Sequence, residues 1–314
     1  MSEGEKSLRA VPDEEHYYPA LLLVPGFEED VIEADSIRVS RRLWQTSTFD
    51  LATLAAEHDL KLPYQLMDVF LGSCNIEIGV LRCKSREVAQ ERLFAFRTVL
   101  YAEGVSPFIL PFSTNVSINS YSGINTRDSE FRRNDLPDGM RQGITSQSTL
   151  VRAHPLELSL AINTFSQGLK IGHAQVVRAL SQTSNWLELT SRDPRLRSFQ
   201  ATLISSASIM PVDQAILHLW TGIEALFPDV KAEVSFRIAL YIACIEPDKS
   251  KRREIYESAK KAYNVRSAIA HGSSKRIAPE EWLKAWQMAT SILRAILIRK
   301  GLPSEAELLK EILG

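Results

Sequence analysis

The chain has 314 residues, with 37 Lys and Arg against 38 Asp and Glu, and 45% of its residues are apolar. That length suits two domains of ordinary size, and the composition is that of a folded globular chain, which argues against a disordered polyelectrolyte or a collagen-like repeat. Three cysteines (Cys74, Cys83 and Cys244) with no CxxC spacing argue against a disulfide framework and fit a reducing compartment.

The first residues, MSEGEKSLRAVPDEEHYY, are acidic and carry no apolar core of the kind a signal peptide needs. The apolar run AILI is far shorter than the ~20 residues that cross a bilayer. A cytoplasmic protein without membrane contact is therefore expected. In residues 62–83 the alternation of apolar and β-branched residues suggests a pair of strands. A helix should follow, capped by Ser85, striped by Val88, Leu93, Phe96, Val99 and Leu100, and stopped by Gly104. VSPFILPF and NVSINSY read as short strands, and the polar stretch 123–148, with its Asp-Gly and Pro, as a long or poorly ordered loop.

From there on the pattern is helical. Pro211 opens a segment whose apolar stripe is Ile216, Leu219, Trp220, Ile223, Leu226 and Phe227. The segment VSFRIALYIACI is apolar on most sides and belongs at the centre of a bundle. Two more helical stretches, 249–271 and 279–300, precede a short last one. On the second of these, Trp282 and Trp286 share an apolar face, which suits a core or a dimer interface better than base stacking. The expected class is α+β: a mixed α/β domain over 1–170 and an all-α antiparallel bundle over 171–314. The halves differ in charge. Residues 170–314 carry 21 Lys and Arg against 15 Asp and Glu, a net +6, and the remainder is −7. A mildly basic helical half can attract a polyanion.

The phrase YNVRSAIAHG, 263–272, places an arginine on the apolar side of its helix. Eleven positions from Ile255 is about three full turns, so Arg266 shares the stripe of Ile255, Ala259, Ala262 and Ile269. An inward guanidinium needs an anion, since an unpaired buried charge costs several kcal/mol. Glu224, on the flank of its own helix stripe, is the candidate within the fold; a phosphate is the candidate outside it. Gly272 is the natural residue to end the helix, which leaves His271 in the last turn, where the macrodipole favours an imidazolium. Arg266 and His271 lie ~140° apart on an ideal helix, so one chain converges them poorly and two facing copies would do better.

The stretch VSFRIALYIACIEPDKSKRREIYESAKKAYNVRSAIAHG resembles the HEPN superfamily, in particular its Apea-like branch. Arg266-SAIA-His271 fits the Arg-x4–6-His motif. Tyr263, Arg266-Ser267 and His271-Gly272 fit the branch's aromatic, Arg-Ser and His-Gly, and IEALF with Glu224 fits its upstream phrase. The likeness covers roughly residues 175–313; Ser267 departs from the Asn, Asp or His common after the arginine. The resemblance implies a helical bundle, a homodimer through the C-terminal half, and metal-independent RNA cleavage by the RNA's own 2′-hydroxyl, with no cofactor. Arg266 would hold the phosphate and His271 would act as acid or base, with Tyr263, Glu224, Asn264 and Ser267 in support. By the same resemblance, a role in bacterial stress or antiphage defence is expected, with residues 1–170 as a sensing or regulatory domain. The alternative is a non-catalytic RNA- or protein-binding scaffold. Lys260, Lys261, Lys275 and Arg276 flank the motif as candidate RNA contacts. The histidines His16, His58, His154, His173 and His218 are scattered without zinc spacing, and His218 reads as a satisfied helix histidine. No phosphate-binding glycine loop or GxSxG elbow occurs.

Overall fold

The computed structural model describes residues 13–21, 23–60, 62, 67, 74–138, 143–154, 170–209, 211–272 and 276–313. The N-terminal half is built on an antiparallel sheet of β1 (Glu14–Ala20), β3 (Val31–Ala34), β4 (Ile37–Leu43), β5 (Cys74–Cys83), β6 (Phe112–Thr114) and β7 (Val151–Ala153). Their order is β3-β4-β5-β1-β6-β7. A two-residue strand, β2 (Val24–Pro25), pairs in parallel with β8 (Lys170–Ile171). Only the end of the strand pair expected over 62–83 is seen, as β5; most of 62–73 lies outside the described residues.

The pleat sorts side chains between two layers. Ile76, Ile78 and Val80 of β5, with Tyr18, Ala20, Ile37 and Val39, face α2 (Arg86–Ala102) and lie in the main apolar core. This helix begins at Ser85, whose hydroxyl accepts from the Val88 amide, and is followed by Gly104 at φ +82°, as its caps predict. The opposite face carries a second core with α1 (Thr48–Glu57): Leu21, Trp44, Leu51, Leu54, Phe112, Ile118 and Tyr121. Glu77, buried among these layers, accepts from Arg42 Nε (3.0 Å), Ser117 Oγ (2.7 Å) and the Ile118 amide (2.8 Å). The charge is thus matched on both oxygens, the condition under which a buried carboxylate is tolerated.

The polar stretch expected as a loop is in part helical. NVSINSY holds a 3-10 turn, Ile118–Tyr121, in place of a strand, and α3 (Ile124–Asp128) and α4 (Glu130–Arg133) follow. The cause is non-local. Asp50, in a capping box with Ser47, also accepts from the amides of Asn125 (2.9 Å) and Gly123 (3.2 Å). Burial works against its charge, yet these donors hold the Asp50 carboxyl below the usual range. Asp128 in turn receives the Ser146 amide and hydroxyl.

The helical half comprises α5 (His173–Arg192), α6 (Pro194–Ser206), α7 (Val212–Glu224), α8 (Val234–Ile245), α9 (Arg252–Ala270), α10 (Pro279–Arg299) and α11 (Glu305–Leu313). Pro211 stands at the N-cap of α7, one position before the first helical residue. α2 packs against α5, α6 and α10, so one apolar core runs across the 170/171 boundary. Arg294 of α10 donates twice to the Ala102 carbonyl (2.8 and 3.0 Å), satisfying the end of α2. Trp282 and Trp286 stack on each other, and Trp286 meets Tyr101 edge-on at 5.0 Å. Both tryptophans are at most 3% exposed, which makes them core and removes them as a dimer surface. Among the described residues no helix is long and apolar enough to cross a membrane.

Gly222 sets the distance between α6 and α7. A Cβ there would collide with Thr202, whose hydroxyl is tied to the Phe199 carbonyl at 2.9 Å. Alanine is the better helix former by about 1 kcal/mol, but overpacking costs about 1–3 kcal/mol. Gly222→Ala is therefore expected to lower stability by about 1–2 kcal/mol in urea unfolding. A gain would show that the two helices move apart freely.

Candidate active site

α7 presents Ile216, Leu219, Trp220 and Ile223 to the core and ends on Glu224. A carboxylate at the C-terminal end of a helix meets the negative pole of the macrodipole, a placement unfavourable by roughly 0.3–1 kcal/mol unless a cation compensates. Arg266 of α9 supplies the cation. Its Nη2 donates to Glu224 Oε2 at 3.0 Å, and its Nε sits 2.9 Å from Oε1, in ion-pair contact but off the hydrogen-bond line. The two side chains are 26% and 27% exposed, which puts the pair at the edge of the core. Nε and Oε1 are themselves closed to solvent. No described residue accepts a hydrogen bond from Nη1, on the other side of the guanidinium plane's fork.

Two aromatic rings hold this pair in place. The Cζ of Arg266 lies 5.6 Å from the Tyr263 ring centroid, within cation–π range. Tyr263 in turn meets Trp220 edge-on, with centroids 5.2 Å apart and planes at 86°. Burial first, and then the charge of Glu224, push the Tyr263 phenol above its ordinary pKa; Arg266 pulls the other way. Sequence reasoning placed Trp220 only on the apolar stripe. Its spacing of four from Glu224 sets it one turn earlier on the same side of α7, where it backs Tyr263.

His271 is the C-cap of α9. Its amide donates to the Ser267 carbonyl, the Gly272 amide donates to that of Ile269, and Gly272 takes φ +75°, the left-handed turn expected of it. The imidazole is exposed, and no hydrogen bond among the described residues joins it to Arg266, Glu224 or Tyr263. One chain thus brings together Glu224, Tyr263, Arg266 and Trp220, and leaves His271 at the helix end. Ser267 is half-buried and Asn264 is exposed. Lys260 lies 5.9 Å from the Tyr256 ring, and Lys261 lines the groove between α9 and α10 with Lys284 and Arg294. Arg276 is exposed; Lys275 lies outside the described residues.

The two arginines that open α9 differ in role. Arg252 is committed to the fold, donating to Glu311 Oε2 (2.7 Å) and the Glu246 carbonyl (2.9 Å), whereas Arg253 is exposed. His218 is satisfied by Ser205 Oγ at 2.7 Å. Among the described residues no three His, Cys, Asp or Glu side chains gather as a possible metal group. Comparison of the chain with protein-family models, with curated proteins and with solved structures returns no match.

Because the pair is only partly exposed, it should contribute more than a surface salt bridge and less than a fully buried one. Glu224→Ala and Arg266→Ala are each expected to cost about 1–3 kcal/mol. The double variant should lose little more than either single one, a coupling of about 1–2 kcal/mol in a double-mutant cycle. Additive losses would mean that the pair does not join α7 to α9 in solution.

Proposed function

We propose that the protein is a metal-independent endoribonuclease of HEPN type, acting through Arg266 and His271. The observation that carries this reading is the state of Arg266. Its guanidinium is fixed in direction by Glu224 and Tyr263 and keeps a fork edge that no described residue occupies. A guanidinium so held is prepared for a phosphoryl oxygen, since little ordering remains when the substrate arrives. Beyond it, the helix ends on an exposed histidine in the spacing of the Arg-x4-His motif.

In the proposed reaction the RNA's 2′-oxygen attacks the adjacent phosphorus, the P–O2′ bond forms and the P–O5′ bond breaks. The products are a 2′,3′-cyclic phosphate and a 5′-hydroxyl end, so the proton lost from the 2′-oxygen is balanced by the one gained at the 5′-oxygen. His271 serves one of these transfers as base or acid. Arg266 stabilises the charge that builds on the non-bridging oxygens. The separation of the two side chains along α9 favours a homodimer in which motifs from two copies face one another. A cytoplasmic setting, a part in stress or antiphage defence, and a sensing or restraining role for residues 1–170 belong to the same proposal.

The second reading, a binding scaffold, is favoured by one observation: Arg266 already has a counter-charge in Glu224. Incubation of the full chain with RNA in EDTA separates the two readings, with cleavage to cyclic-phosphate ends expected. Because His271 is an exposed cap, His271→Ala should leave the melting temperature nearly unchanged and slow cleavage by about 100-fold or more. Full activity in that variant, or intact RNA with the parent, would favour the scaffold.

A further inference from the structure

Four exposed or half-exposed groups of α9 that the ion pair does not use lie on one stripe with Ser267 and His271. At ~100° per residue, Arg253, Tyr256, Lys260, Asn264, Ser267 and His271 fall within about 80° of one another. At ~1.5 Å per residue the stripe is about 27 Å long, and it ends on the histidine at the helix terminus. It holds two cations, Arg253 and Lys260; Glu257 lies between them along the axis, about 20° outside the stripe. Arg253, Lys260, Asn264 and His271 are exposed.

Aromatic surface lies beside the stripe. Phe236, in the first turn of α8, is 48% exposed although the rest of that helix is largely buried. Its ring meets Tyr256 edge-on, with centroids 6.2 Å apart and planes at 79°. Lys260 Nζ lies 5.9 Å from the Tyr256 centroid. A half-exposed phenylalanine next to a tyrosine, bordered by cations, is the combination on which single-stranded bases stack while the cations follow the phosphates. A protein partner would use the apolar rings as well; the cations set beside the rings favour a strand that carries phosphates next to its bases. A duplex keeps its bases stacked inside and leaves the rings without a partner.

We propose that this face of α9, with Phe236 as its aromatic platform, is a binding path for single-stranded RNA that leads the strand to His271. The proposal deepens the nuclease reading by naming the substrate as single-stranded and giving its course. Only the role of the path's end rests on that reading. Phe236 and Tyr256 hold one or two unstacked bases, Arg253 and Lys260 take phosphates, and Asn264 and Ser267 offer neutral donors and acceptors to sugar or base edges.

The test measures binding apart from cleavage. The full chain is titrated into a fluorescein-labelled oligonucleotide of about ten nucleotides, a length within the usual span of such sites. The strand is 2′-O-methylated throughout, so no 2′-hydroxyl is present to react, and anisotropy is read at several salt concentrations. The parent should bind the single strand at least about ten-fold more tightly than the same sequence as a duplex. Phe236→Ala should weaken single-strand binding about ten-fold, and Lys260→Gln should reduce the slope of log K against log salt by about 0.7. Both side chains are well exposed, and unchanged melting temperatures will confirm that the variants fold. Absence of binding by the parent, duplex binding as tight as single-strand binding, or parental binding by both variants would each overturn the path. If the parent binds as described but leaves an unmodified strand intact, the path stands and the nuclease reading falls.

Discussion

Glu224 stands at the end of α7, where the helix's own carbonyls repel it, and Arg266 stands on the core side of α9, where an unpaired guanidinium is costly. Each placement is unfavourable alone and acceptable only with the other. The pair therefore fixes how α7 and α9 meet, and the rest of the helical half is consistent with that meeting. Gly222 admits α6 against α7 two residues before the carboxylate. Trp220, one turn before it, supports Tyr263, and Tyr263 supports the guanidinium. A charged contact at the margin of the core thus has two helices and two aromatic rings holding it, more than a contact of its strength requires for stability alone.

That arrangement bears on function because the ion pair satisfies the fold without using the guanidinium fully. The Nε and Nη2 side is turned to Glu224, and no described residue hydrogen-bonds Nη1 at the remaining edge. Lysine would give the fold the same charge; it would not give a planar fork held at a set angle. The exposed histidine at the C-cap and the outward stripe of α9 lie outside this core-side cluster. α9 accordingly has two working sides, one that orients the arginine and one proposed to receive the strand.

Much of the helical half was legible because its signals are local. Ser85 and Gly104 bracket α2, Gly272 ends α9, and the period of Ile216, Leu219, Trp220 and Ile223 places Glu224 on a flank from which it reaches Arg266. What was not legible depends on contacts far apart in sequence. The short arginine-bearing strand IRVSRRL gains its place by pairing with β5, more than thirty residues on. The helical turns after Gly123 follow from Asp50, and the position of Ile118 from Glu77. α2 falls in the N-terminal half by sequence, yet its apolar sides also serve the bundle, where Arg294 caps it. Trp282 and Trp286 showed their apolar stripe plainly; that the stripe meets Tyr101 of the first half and no second copy was a matter of tertiary packing.

In the proposed nuclease, the fold holds Arg266 ready for a phosphate. Arg266→Lys tests it most directly, since lysine retains the charge opposite Glu224 and loses the fork. Thermal unfolding and RNA cleavage in EDTA are measured on the same preparation. The lysine variant should melt within a few degrees of the parent and cleave roughly 100-fold more slowly. A lysine variant that cleaves RNA as fast as the parent would contradict it and leave Arg266 as a structural partner of Glu224.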